Sequence, residues 1–206
     1  SYATGSAAYP FSNGVIKSVV TYSDVRTAEE IAGDFYFPGT DGMTAYWDAS
    51  LAGVYKGIPD RSNNFNDMKV NNRDTKTYDS ETNAMTFTRD KYYETVSKLE
   101  STPLTIEAMV KYPTHGSGKG SPSKKGCSIE NVIYGNFYGK TTANALNFGI
   151  NSNNNPMIYM VDNLGNIVTF DFDEVKINTE YWEHIAITFD AEAGYAYCYQ
   201  NGVLKQ

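Results

Sequence analysis

The sequence predicts an all-β fold: a two-sheet antiparallel jelly-roll sandwich with one short helix. Three observations carry that prediction. Short stretches alternate apolar and polar residues, Gly, Asn and Asp turns separate them, and a 3.6-residue hydrophobic period is nearly absent. Successive side chains of a strand point to opposite faces, so alternation of this kind marks strands with one face buried against a second sheet. A chain of 206 residues is long enough to bury about 70% of its extended surface, so one sizeable core is expected.

Taken in chain order, the first element is the helix. Thr27-Ala-Glu-Glu30 is a capping-box sequence, with Thr27 as N-cap and Glu30 reaching back, and the turn it opens ends near Gly33. Asp60 to Asp79 is rich in Asn and Asp and is expected to lack regular structure. In Leu104–Lys111, Leu104, Ile106, Ala108 and Val110 share one face, predicted dry. Thr105, Glu107, Met109 and Lys111 share the other, predicted wet. Pro113 to Gly126 combines Gly, Ser, Pro and Lys and reads as a loop. Alternation returns at Leu146, Phe148 and Ile150, at Val168, Phe170 and Phe172, and at Ile185, Ile187 and Phe189. Asp162–Asn166 and Asn201-Gly202 are turn sequences, the second a two-residue hairpin signal.

Composition narrows the function. Charged residues are 20% and hydrophobic residues 41%, with 17 Tyr and 10 Phe, which excludes a disordered chain, and no apolar run is long enough for a membrane span. The net charge of −7 argues against sequence-independent binding to nucleic acid or anionic lipid, which needs clustered Lys and Arg. Cys127 and Cys198 are too few for a disulfide scaffold and match no zinc spacing; a single bridge and two unpaired thiols both remain open. The opening Ser-Tyr-Ala-Thr-Gly is not a signal sequence, so the expectation is a removed leader or a segment of a longer protein.

Two loops and a set of aromatics are the chemical candidates. Asp60, Asn63, Asn64, Asn66 and Asp67 place hard oxygen donors in one turn-rich loop, the donor type Ca²⁺ requires. If calcium binds, Asp60 and Asp67 with Asn63 or Asn66 are its expected ligands. The same residues also suit Asx turns that hold no metal. The Pro113–Gly126 loop contains His115, which has no second ligand nearby in sequence and is read as solvated. Aromatic rings stack on sugar faces, so Tyr92, Tyr93, Tyr134, Tyr138 and Tyr159 are candidates for carbohydrate contact, though a core role suits each equally well.

Four motifs in order resemble one family. Tyr181-Trp-Glu-His-Ile-Ala-Ile-Thr-Phe-Asp190, followed by Gly194 and Tyr199-Gln-Asn-Gly202, is similar to the W-x-H-[IV]-A-[IV]-T-[FY]-D … Y-x-[ND]-G line of laminin-G-like domains. Ala45-Tyr-Trp-Asp48 followed by Asp60-Arg-Ser-Asn-Asn-Phe-Asn-Asp67 resembles that family's first strand and D-x-S-G-N-x-N-D loop, with Asn63 where Gly is usual. Leu104–Val110 resembles L-T-I-E-A-W-V, with Met109 in the Trp position. Together these motifs cover about residues 43 to 206. They identify the chain as a member of the laminin-G-like group of the concanavalin A-like lectin/glucanase superfamily.

The resemblance extends, out of order, to the amino terminus. Asn13–Tyr22 and Ser23–Ile31 are similar to the family's closing strand and short S-x-E-E-I helix, with Arg26 where Leu is usual. Two segments are therefore expected: 1–34, a closing strand and helix, and 35–206, the main jelly-roll. The first completes its own domain as a permuted strand, completes a neighbouring copy, or is the tail of an upstream repeat.

The superfamily's glucanases carry their acid and nucleophile as E-x-D-x-x-E on one strand, where alternate residues converge on one sugar. This chain has no such string. Asp171-Phe-Asp173 is the nearest substitute and is read as a solvated acidic face, while His184 is read as a structural strand histidine. The resemblance implies a non-catalytic recognition or adhesion module, extracellular or on a bacterial cell surface, binding carbohydrate or a cell-surface glycoprotein. Two alternatives are a structural subunit with homotypic head-to-tail contacts by strand complementation, and a degenerate glycoside hydrolase or lyase.

Overall fold

The computed structural model describes residues 14–36, 38–51, 57–71, 78–87, 92–95, 104–111, 129–135, 145–151, 153–162, 164–178, 180–190 and 193–206. Their order is β1 (Gly14–Tyr22), α1 (Ala28–Asp34), β2 (Met43–Asp48), a 3₁₀ turn at Ala49–Leu51, β3 (Gly57–Ile58), β4 (Met68–Asn71), β5 (Tyr78–Asp79), β6 (Ala84–Phe87) and β7 (Tyr92–Thr95). The second half holds β8 (Thr105–Lys111), β9 (Ile129–Gly135), β10 (Ala145–Asn151), β11 (Pro156–Val161), β12 (Ile167–Asp171), β13 (Glu183–Asp190), β14 (Tyr195–Gln200) and β15 (Val203–Leu204).

Among the described residues every strand pairing is antiparallel. The larger sheet runs β15-β14-β13-β8-β1-β6-β5, with β2 also on β1; a second sheet runs β12-β11-β10-β9. These two sheets are the layers of the sandwich. A third, three-stranded sheet, β3-β4-β7, was not expected, and it places a strand inside the stretch read as unstructured. Met68 opens that strand and packs against the main core, an apolar contact that the surrounding Asn and Asp residues obscure in the sequence.

The interior between the layers is built by the alternating faces. Ile106, Ala108 and Val110 of β8, Ile185, Ile187 and Phe189 of β13, and Leu146, Phe148 and Ile150 of β10 are buried in one cluster with Trp47, Ile16 and Val19. Each such aliphatic side chain contributes about 1.5–3 kcal/mol by leaving water. Val168 departs from the reading: it is 38% exposed, because β12 is the edge strand of its sheet and has a neighbour on one side only.

Strand β1 lies inside the larger sheet. It pairs with β8 from Val15↔Lys111 to Tyr22↔Thr105, and its other edge is shared by β6 and β2. Residues 14–34 are thus built into the same fold as the rest of the chain. Helix α1 opens on the predicted capping box: Thr27 Oγ1 accepts from Glu30 N (3.3 Å) and Glu30 Oε2 accepts from Thr27 N (2.8 Å). Its Ile31 packs on Ala186 and Tyr199, on the sheet face away from the main core.

That placement corrects one expectation. Thr105 and Glu107 were predicted to be wet, yet both are buried, Glu107 at 1% exposure. Alternation identifies the face opposite the core; it does not say whether another element covers that face. Here α1 and its flanking residues do.

Candidate functional site

The Asp60–Asp67 loop folds around a single carboxylate. Asp60 Oδ1 accepts from Tyr46 N and Ser62 N (both 2.9 Å), and Oδ2 accepts from Asn66 N (2.9 Å) and Ser62 Oγ (2.8 Å). An ionised carboxylate offers about four acceptor positions, and these donors fill them. Asp67 Oδ1 closes the loop by accepting from Asp60 N (2.8 Å). Asn64 Nδ2 donates to Met43 O (3.0 Å) and Asn66 Nδ2 to Thr44 O (2.9 Å), which ties the loop to β2. Trp47 Nε1 donates to Asn66 O (2.7 Å) and anchors it to the core.

In this arrangement the Asp60 carboxylate serves the loop's own hydrogen bonds. The loop links Asp60 to Asn66 and Asp67, with Asn63 exposed on the same turn, and N–H and O–H donors occupy the carboxylate that would lead the ligand set. Among the described residues, no group of three or more His, Cys, Asp and Glu could hold a metal ion.

The same loop carries unusual backbone. Asn63 has φ 68° and Phe65 has φ 59°. Asn63 stands where the family motif has Gly, and Asn tolerates this left-handed region because its short side chain makes local hydrogen bonds. Phe65 has no such excuse. A bulky residue there is an outlier that costs about 1–3 kcal/mol and persists only when its surroundings impose it. The clamps on Asn64 and Asn66 impose it from both sides, and the ring is 83% exposed.

Beneath α1 lies a buried polar cluster that sequence reasoning did not assemble. His184 Nε2 and Glu107 Oε2 are 2.8 Å apart. In register Glu107 faces Ala186, so His184 is its diagonal neighbour across β8 and β13, within reach of a long side chain. Arg26, the residue at odds with the family's Leu, donates from Nε (3.0 Å) and Nη2 (2.7 Å) to Asp34 Oδ2 and lies over the Tyr22 ring at 4.4 Å. Phe35 closes over His184 with ring centroids 5.8 Å apart.

Burial pushes the Glu107 carboxyl up to about 7, against the opposing pull of its His184 hydrogen bond. Burial likewise raises the Tyr22 phenol. Among the described residues, Tyr22 OH, Glu107 Oε1 and His184 Nδ1 have no partner that meets hydrogen-bond geometry. His184 is 5% exposed, so this acid–base pair is sealed from any ligand at the surface. The structural reading of His184 fits that position; what the sequence did not reveal was its partner.

The remaining candidates are scattered. Tyr159 is buried, and Tyr134 is half-buried, packed against the main core and stacked on Trp47 at 6.4 Å with burial raising its phenol. Tyr92 and Tyr93 lie on β7. Tyr138, His115, Cys127 and the Pro113–Gly126 loop lie outside the described residues. Cys198 is a buried free thiol, pushed up to about 12 by burial. Asp171, which accepts from Asn151 Nδ2 (2.9 Å), is raised by burial and then by Asp173.

Two antiparallel sheets packed face to face, with a short capped helix on an outer face, define a jelly-roll sandwich of the lectin type. A family profile described as the concanavalin A-like lectin/glucanases superfamily, of laminin G type, matches residues 79–206. The chain belongs to this laminin-G-like family. No curated protein and no solved structure matches it. The profile begins after the Ala45–Asp48 and Asp60–Asp67 motifs, which rest on their own residues and geometry. No helix among the described residues is long and apolar enough to cross a membrane.

Proposed function

We infer that this chain is a non-catalytic extracellular recognition or adhesion module, part of a larger bacterial surface or secreted protein, with glycan as its ligand. The observation that carries the reading is the laminin-G-like family match over residues 79–206. Two features support it over the enzyme alternative. The sequence lacks the paired-carboxylate strand of the superfamily's glucanases, and Glu107 with His184 lies closed beneath α1, away from any substrate.

The test is a glycan array probed with and without calcium, beside a panel of polysaccharides assayed for new reducing ends. Binding without reducing ends is the expected result. New reducing ends would replace this reading with a hydrolase, and a silent array would replace it with a protein ligand. Because the Asp60 carboxylate is already saturated, millimolar calcium is expected to leave the melting temperature unchanged. Calcium bound to the native state would raise that temperature by mass action, and a rise reversed by chelator would reinstate Asp60, Asn63, Asn66 and Asp67 as ligands.

A second reading, assembly head to tail by strand complementation, draws on the position of β1. A strand from the front of the chain pairs along β8 from Val15 to Tyr22 in the middle of the sheet, so a copy of it could fill the same slot in a neighbour.

A further inference from the structure

Five non-glycine residues among those described have positive φ: Asn63, Phe65, Asn83, Asn154 and Asn201. Four are Asn, the residue that tolerates this region at turns. Phe65 stands apart, being bulky, strained and 83% exposed. Singly exposed apolar side chains are ordinary and need no explanation, and Tyr36, Tyr181 and Tyr195 are exposed at unremarkable backbone angles. A strained backbone that pushes a ring into water is a different observation, because strain of this kind concentrates at ligand contacts.

The neighbours of Phe65 hold it there. Asn64 is fixed by its amide to Met43 O and Thr44 O, and Asn66 by Asp60 Oδ2, Thr44 O and Trp47 Nε1. The ring gains nothing from the core and is pre-set on a rigid turn, which limits the ordering entropy a ligand would have to offset. Asn63, two residues away in sequence, is exposed as well. An exposed aromatic ring matches one face of a pyranose, which presents C–H groups there and hydroxyls around its rim.

We propose that the Asn63–Asn66 turn displays Phe65 as the stacking platform for a pyranose ring of a polysaccharide. The inference rests on the glycan reading above and assigns its contact residue. It is tested by affinity electrophoresis of the intact chain through gels containing soluble β-glucan, galactan or xylan, with melting temperatures measured on the same samples. Phe65→Ala is expected to weaken retardation at least tenfold in Kd, and Phe65→Trp to preserve it. Phe65→Gly relieves the left-handed strain and is expected to lose binding while its melting temperature stays level or rises. Wild-type retardation left unchanged in Phe65→Ala and Phe65→Gly would overturn the platform and leave the glycan reading standing. A fall in melting temperature for Phe65→Gly would overturn it too, because the ring would then be a packing group. No wild-type retardation in any gel would overturn the glycan reading and the platform with it.

Discussion

At the scale of single residues, Glu107 and His184 decide most. Removing one partner of a buried pair leaves the other charge or dipole uncompensated, so His184→Ala is expected to cost about 3–5 kcal/mol in chemical denaturation. Glu107→Gln should behave differently. Its folded pKa of about 7 lies above the ordinary carboxylate value, so the fold disfavours the ionised form. That penalty is absent below the unfolded pKa near 4.5 and grows as pH rises toward 7. Glu107→Gln should therefore gain on wild type between pH 4.5 and pH 7, a trend that denaturation at several pH values reads directly. A gap that widens toward acid would contradict the burial argument. The pair was not legible in the sequence: its members lie 77 positions apart, and their outward strand positions look the same as those of solvated residues.

At the scale of elements, legibility was higher. The capping box of α1, the hairpin at Asn201-Gly202 and the inward residues of β8, β10 and β13 were all read from local chemistry, because caps, turns and period-two alternation act over a few residues. What α1 covers is a long-range fact and was missed. Thr27→Ala removes the N-cap and is expected to cost about 0.5–2 kcal/mol, checked by urea denaturation. Gly202 joins turn and helix: its φ is +76°, and an added Cβ would lie 3.1 Å from Ala32 Cα. Gly202→Ala should thus destabilise by more than about 1 kcal/mol, combining left-handed strain with displacement of α1. Strand β1 poses the element-scale question of completion. Deleting residues 1–34 should leave β8 with an unpaired edge and give an unstable or associating protein that a peptide of those residues rescues. A truncated protein that stays folded, monomeric and indifferent to the peptide would remove both the self-completing and the head-to-tail accounts.

At the scale of the molecule, the sandwich was predictable because its physics is repetitive: each strand repeats the same inward-outward alternation, and motif order added the family. The ligand was not, because a binding surface depends on what a few loops display. Phe65 illustrates the gap: in sequence it is one of 10 Phe, and only its φ and exposure set it apart. The central claim is that the chain binds glycan and does not cleave it. Its most direct test is titration calorimetry with the polysaccharide that binds best, followed by sizing of the recovered ligand. The account predicts a saturable heat and a polysaccharide of unchanged chain length. No heat with any polysaccharide, or a shortened product, would contradict it.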